Sequence, residues 1–282
     1  MTLHKCSMLQ AFGGKGPHAV GSPLDMRSLP SEPRCCDRGL ESKGAAMQTD
    51  PSHSPSAEVE TGSVVGLWRY PVKSMMGEEL NAAEVMERGL VGDRQFAVVD
   101  ASTGKVAGAK NPRKWGNFFD FHAAYVEPPE SGSKLPAVRL TLPDGTVVTS
   151  EQPDVAQVLS KALGREVAFA EAQRDGESSG AQAEEYWPDL EGLDYRDTVT
   201  EWELPAGTFF DLAVVHLLTT ATIERLRVLY PEGRFEVRRF RPNIVVATGP
   251  DQQGFVENDC AARRSRSAPR LACGLRARVL VA

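Results

Sequence analysis

The run Val64-Val65-Gly66-Leu67-Trp68-Arg69-Tyr70-Pro71-Val72-Lys73-Ser74 decides how this chain is read. Its β-branched and aromatic residues predict a strand, and Pro71, which has no N–H to give a sheet ladder, sets the strand's end at an edge or turn. Lys73 and Ser74 follow directly, an ammonium and a hydroxyl presented where the strand stops. Further along, Gln95-Phe96-Ala97-Val98-Val99, Val138-Arg139-Leu140-Thr141-Leu142 and Thr146-Val147-Val148-Thr149 read as strands, and Pro143-Asp144-Gly145 joins the last two as a hairpin. Pro153 to Leu163 places Val155, Val158, Leu159 and Leu163 on a helical period and stops at Gly164, and Val167-Ala168-Phe169-Ala170 follows as a strand. In the second half Phe209-Phe210-Asp211 leads to Val214-Val215-His216-Leu217-Leu218. Thr219-Thr220 then opens a helix with Ile223, Leu226 and Tyr230 on its apolar face, and Asn243-Ile244-Val245-Val246-Ala247 reads as a buried strand. Many short strands with few helices predict a mostly-β, α+β architecture of barrel-like form.

The rest of the chain frames these elements. Residues 1–62 hold clusters of Gly, Pro and Ser without helical or strand period and read as disordered, and a start at Met47 would remove most of them. No Arg-rich amphipathic helix marks an organelle-targeting segment there. Arg174 to Leu193 is acidic and rich in Gly and Ser, a linker or loop. The expected organisation is therefore a disordered segment 1–62, a folded region 63–172, a linker 173–194 and a second folded region 195–282 that becomes atypical from 260. With 282 residues and 41% hydrophobic composition, there is chain enough for a real core. No apolar run reaches the roughly 20 residues of a membrane span, and no secretory signal is visible, so an intracellular protein is expected. The net charge of −6 gives nucleic-acid binding no support. Cys6, Cys35, Cys36, Cys260 and Cys273 include no Cys-x-x-Cys pair, which indicates neither a disulfide framework nor a zinc site.

Three basic constellations can carry chemistry: Tyr70-Pro71-Val72-Lys73-Ser74; Gly89-Leu90-Val91-Gly92-Asp93-Arg94; and Arg238-Arg239-Phe240-Arg241-Pro242-Asn243. Each alone is more often a solvated strand end, a surface ion pair or a solvated face than a site. Brought together, Lys73, Arg94 and Arg241 make a pocket for a phosphate, with Ser74 and Asn243 as neutral donors. His216 and His122 read as ordinary histidines, His216 packed in its apolar run rather than binding a metal.

The order of these motifs, followed by Phe255-Val256-Glu257-Asn258-Asp259, resembles the MOSC proteins, named for the C-terminal domain of molybdenum cofactor sulfurase. The closest resemblance is to the mitochondrial amidoxime reducing component and its bacterial relatives. It spans Val64 to about Asp259 and implies a MOSC N-terminal β-barrel region followed by a MOSC β-barrel domain. It also implies a molybdenum cofactor (Mo-molybdopterin) bound by Lys73, Ser74, Arg94, Arg241 and Asn243. Thr219 and Thr222 fall near a further polar position, on a looser alignment. The implied activity is a molybdenum-cofactor oxidoreductase that reduces small N-hydroxylated compounds with electrons from a separate donor, such as a cytochrome b5-type protein or reductase. The implied compartment is cytoplasmic or mitochondrial. Two alternatives stay open: a non-redox cofactor or sulfur-carrier binding module, and an inactive form.

The alternatives arise because the family's C-terminal Pro-Cys-x-Arg-Cys motif, source of the thiolate on molybdenum, is absent. From Cys260 the chain has six Arg and no acid, so the preceding 259 residues carry −12 of charge. Cys273 is the better candidate for a substitute metal ligand, by its place in the chain, and Cys260 the other. A shifted reading frame explains the departure. If Arg276 to Ala282 and the stop are encoded CGC GCC CGT GTC CTC GTT GCG TGA, the alternative frame CGC CCG TGT CCT CGT TGC GTG reads Arg-Pro-Cys-Pro-Arg-Cys-Val.

Overall fold

The computed structural model describes residues 62–172, 181–192, 195–211, 213–257 and, as backbone, 277–280. The expected disorder of the N-terminal segment, and both Cys260 and Cys273, fall on residues outside these. In chain order the strands are β1 (Ser63–Arg69), β2 (Glu78–Leu80), β3 (Ala82–Met86), β4 (Gly89–Leu90), β5 (Phe96–Asp100), β6 (His122–Tyr125), β7 (Val138–Thr141), β8 (Val147–Thr149), β9 (Val167–Glu171), β10 (Gln182–Trp187), β11 (Thr198–Glu203), β12 (Leu217–Thr219), β13 (Ile244–Ala247) and β14 (Ala277–Leu280). The helices are α1 (Pro112–Trp115), α2 (Val155–Leu163), α3 (Thr220–Leu229) and α4 (Val237–Phe240). The chain is thus mostly strand with few helices, as its sequence predicts. The strands fall into five sheets of two to four strands, which among the described residues do not close into one ring.

The sheet that matters for the site runs β12-β13-β1-β2. β1 is antiparallel to both β2 and β13, and β13 is parallel to β12. The strand that opens the first folded region is therefore hydrogen-bonded to one from the second. β5 explains why an uninterrupted apolar run can be a strand. Phe96 and Val98 face a core with Trp115, Phe118, Phe121, Leu140 and Leu159, while Ala97 faces another with Val106, Ala183, Leu204 and Phe209. Both faces are covered, so no polar alternation is required.

Local chemistry gives several elements where the sequence places them. Gly145 has φ 84° in the turn between β7 and β8, and the Asp144 carboxylate accepts the Thr146 N–H at 2.9 Å. α2 ends on Gly164 at φ 67°, whose N–H returns to the Ser160 carbonyl. Thr219 caps α3, its hydroxyl accepting the Thr222 N–H at 3.2 Å. Elsewhere the structure differs. β10 lies inside the stretch read as a linker, paired along its whole length with β11. Its run Gln182-Ala183-Glu184-Glu185 looks solvated, but Ala183 and Glu184 are buried, and Glu184 is held by Asn111 at 2.9 Å and Lys114 at 2.8 Å. Tyr230 is not on the buried face of α3; it follows the helix as its C-cap and is 60% exposed.

The glycines of Gly89-Leu90-Val91-Gly92 are there for close packing. A Cβ on Gly89 (φ 97°) would lie 2.3 Å from the Val214 carbonyl oxygen, and one on Gly92 (φ 82°) would lie 2.7 Å from Pro129 and from the Tyr125 ring. Gly92→Ala is expected to lower unfolding free energy by about 1–3 kcal/mol through strain and overpacking. Denaturant titration measures this, and an unchanged midpoint would contradict it.

Candidate functional site

The three basic motifs meet around one buried carboxylate. Where β1 ends, the Tyr70 N–H donates to Asp93 Oδ1 at 2.7 Å, and the Tyr70 carbonyl accepts the Arg94 N–H at 2.7 Å. Asp93 is fully buried; its Oδ2 accepts from the Arg94 guanidinium and, at 3.0 Å, from Asn243 Nδ2. Asn243 fastens the third motif to the first two. Its Nδ2 also donates to the Trp68 carbonyl at 3.2 Å, its Oδ1 accepts from the His216 N–H at 3.0 Å and from Arg94 at 3.3 Å, and its own N–H donates to the His216 carbonyl at 2.7 Å.

Cations cluster on this frame. The Arg94 and Arg241 guanidinium carbons lie 4.8 and 4.6 Å from the centre of the buried Tyr70 ring. The Tyr70 hydroxyl donates to the Pro242 carbonyl at 3.1 Å, and burial raises its pKa, so the ring stays a neutral platform. Lys73, 5% exposed, donates to the Phe209 carbonyl at 2.9 Å and to Asp211. Burial pulls the Lys73 pKa below the ordinary lysine value, against the opposing pull of Asp211. Burial pushes the Asp211 carboxyl up, but Lys73 and Lys110 outweigh it and the net shift is downward. Arg241 is brought down to about 10, first by burial and then by the nearby Arg94 charge. Lys73, Lys110, Arg94 and Arg241 face Asp93 and Asp211, and Lys110, more exposed than the others, also pairs with Glu185 at 3.5 Å, which leaves an excess of positive charge. Ser74 at φ 66°, Arg94 at φ 48° and Arg241 at φ 51° are three of the four described non-glycine residues with left-handed backbone. Such strain collects where surrounding structure fixes a functional geometry.

Two buried side-chain atoms among the described residues have no hydrogen-bond partner, Arg241 Nε and His216 Nε2. Burial lowers the His216 pKa from 6.5 to about 4, with the Arg94 charge adding to the shift. The consequence is a pH-dependent stability. Above 6.5 the ring is neutral in both folded and unfolded chains; as pH falls toward 4 only the unfolded chain takes up the proton, so stability falls. The expected loss is about 3 kcal/mol across that window. Unfolding titrations at several pH values, compared with His216→Gln, test it; equal slopes in the two proteins would contradict it.

Of the residues singled out from sequence, Lys73, Arg94, Arg241 and Asn243 come together here. Lys73 and Ser74 are buried rather than solvated, and Asp93–Arg94 is not a surface pair. The Ser74 hydroxyl accepts the Ala109 N–H at 3.0 Å and so shapes the neighbouring loop. Arg238 and Arg239 are solvated, whereas Arg241 turns inward to donate to the Met75 carbonyl at 2.9 Å. Thr219 and Thr222 are engaged elsewhere. Glu257 accepts the Thr219 N–H at 2.7 Å and the Thr222 hydroxyl, which gives the Phe255-Val256-Glu257 motif a place at the start of α3. Tyr70 and Asp93 stand inside the basic motifs with no ligand role read for them, and Asp211, in Phe209-Phe210-Asp211, carries no signal in the sequence.

A family model, the MOSC N-terminal beta barrel domain, matches residues 61–202, half of the chain. The chain belongs to the MOSC N-terminal beta barrel family. No curated protein matches it. The match of this MOSC protein runs from β1 through most of β11, across the stretch read as a linker. The MOSC family is associated with the molybdenum cofactor, and the cluster suits that cofactor's anionic end. It holds surplus cations, and a buried guanidinium N–H at Arg241 lacks an acceptor. The described residues form no metal-ligating group of His, Cys, Asp and Glu, and Cys260 and Cys273 lie outside them. No helix among the described residues is long and apolar enough to cross a membrane.

Proposed function

We propose that this MOSC protein binds the pterin molybdenum cofactor through Lys73, Ser74, Arg94, Arg241 and Asn243, and that it is an oxidoreductase of the amidoxime-reducing kind. The observation that supports this most is the inward turn of Arg241, with an unpaired buried Nε, beside Lys73 and Arg94. Lys73, Arg94 and Arg241 neutralise the phosphate. Asp93 and Asn243 hold Arg94 in place, and Ser74 sets the loop beside Lys73. When bound, the cofactor supplies the two-electron reduction of an N–O bond in a small N-hydroxylated compound, with electrons from a separate donor protein. Thr219 acts from a distance, by fixing the start of α3. The proposed division of the chain is a MOSC N-terminal barrel region at 63–172, a connecting stretch at 173–194 that includes β10, and a MOSC domain from 195, with Cys273 the candidate thiolate.

One observation favours a second reading. The sequence lacks Pro-Cys-x-Arg-Cys, and a chain without that thiolate binds the pterin but does not turn over. The test is molybdenum content and amidoxime reduction by the full chain isolated from a cofactor-making host, assayed with a reduced electron donor. Bound molybdenum with turnover is the expected result. Molybdenum-free, inactive protein that retains pterin supports the binding module, and protein with neither overturns the proposal.

A further inference from the structure

The end of α3 carries an apolar surface that no described residue covers. The helix packs on β12 and β13, and its buried residues, Ala221, Thr222 and Ile223, all lie in its first turn. At its end Val228, Leu229 and Tyr230 are 69%, 53% and 60% exposed, and Pro231 and Glu232 follow, both exposed. The other exposed large apolar side chains among the described residues stand singly along the chain, as is ordinary, whereas these three are consecutive. The tip is also held in shape. The Gly233 N–H donates to the Tyr230 carbonyl at 2.9 Å, Arg227 donates to the Phe235 carbonyl at 3.3 Å, and the rings of Tyr230, Phe235 and Phe240 follow one another at 6.4 Å spacings. A tip already fixed in this way loses little conformational freedom when it is covered.

Exposed arginines accompany this tip. Arg225 lies one turn back on the face of Leu229, Arg227 and Arg234 flank the turn, and Arg238 and Arg239 stand on α4, which the Phe235–Phe240 stack joins to the tip. Glu224 pairs with Arg227 at 2.6 Å, and Glu236 with Arg234 at 2.8 Å and Arg238 at 3.2 Å; no acid among the described residues pairs with Arg225 or Arg239. The whole chain carries −6, so this local excess of arginine over glutamate sets the face that an anionic surface attracts. We infer that the end of α3 docks on an anionic lipid surface. Val228, Leu229 and Tyr230 enter the boundary between headgroups and acyl chains, and the arginines stay at the lipid phosphates. Consecutive apolar residues on an exposed helix end suit a fluid surface that yields around them, whereas a protein partner needs a matching cavity. The contact needs no bound cofactor, and it lays the protein on a membrane without spanning it.

The test is co-sedimentation of the full chain with vesicles of phosphatidylcholine alone and of phosphatidylcholine with about 30% phosphatidylserine, at low and high salt. Wild type is expected to bind the phosphatidylserine vesicles about 10-fold or more tighter than the neutral ones, a preference that shrinks as salt is raised. The double variants Val228→Ser with Leu229→Ser, and Arg225→Glu with Arg239→Glu, are each expected to weaken that binding about 10-fold or more. Their thermal melts are expected to match wild type, because all four side chains are exposed. Leu190→Ser, at an exposed apolar residue elsewhere, is expected to change nothing. Equal binding to the two kinds of vesicle overturns the inference. Binding that survives in both double variants belongs to another segment, such as the six arginines after Asp259, and overturns it as well. Failure of wild type to bind either vesicle also overturns it, and self-association abolished by the Val228 and Leu229 substitutions would then give the tip to a second copy of the chain.

Discussion

Asp93→Ala is expected to lower the unfolding free energy by about 3–5 kcal/mol, the scale of removing one partner from a buried charged network. Asp93 is wholly shielded from solvent and is the acceptor for the Tyr70 N–H, the Asn243 amide and the Arg94 guanidinium. Its loss leaves the buried Tyr70 N–H unpaired, takes one acceptor each from Asn243 and Arg94, and removes a negative charge beside Arg94 and Arg241. Asp93→Asn keeps the shape but directs an amide at donors, so it is expected to cost about 1.5–3 kcal/mol. Chemical denaturation measures both. A loss below about 1 kcal/mol for Asp93→Ala would return this residue to the status of a surface ion pair.

Arg241→Gln has the larger effect on binding. A charge-assisted contact contributes about 1.5–3 kcal/mol, so affinity for inorganic pyrophosphate is expected to fall about 10- to 100-fold. Stability is expected to change little. The guanidinium stacks on Tyr70 and donates to Met75, but it also lies against Arg94, carries an unsatisfied N–H and sits on a left-handed backbone. Groups held in this way are retained for function at some cost to the fold. Calorimetric titration and a thermal melt of the same variant separate the two effects. Unchanged pyrophosphate affinity would remove Arg241 from the site.

How much of this was legible beforehand varies with the physics of each element. The hairpin at Asp144-Gly145, the Gly164 stop and the Thr219 cap are set by a few neighbouring residues, and sequence suffices for them. The strand β10 is a case where tertiary contact overrides composition: Glu184 is buried only because Lys114 and Asn111 reach it from elsewhere in the chain. The site divides in the same way. Lys73, Arg94 and Arg241 could be picked out as cations at strand ends, since their types fit a phosphate. Asp93 could not be told from a surface carboxylate, because its burial depends on Asn243, 150 positions along the chain. His216 sits in an apolar run that suggests simple packing, and only the unpartnered Nε2 distinguishes it. Asn243 and Ser74 were picked out as neutral donors beside those cations; the Asn243 amide also ties Arg94 and Asp93 together, and the Ser74 hydroxyl accepts the Ala109 N–H, contacts that no local sequence pattern gives.

The most direct test of the central claim, that the Lys73–Arg94–Arg241 cluster holds a pterin cofactor, is the pterin released on denaturing the full chain purified from a cofactor-making host, read by fluorescence after oxidation. Wild type is expected to release pterin, and Arg241→Gln and Lys73→Met to release little while their thermal melts show folded protein. Wild-type protein free of pterin, or folded variants that carry as much as wild type, would contradict the account.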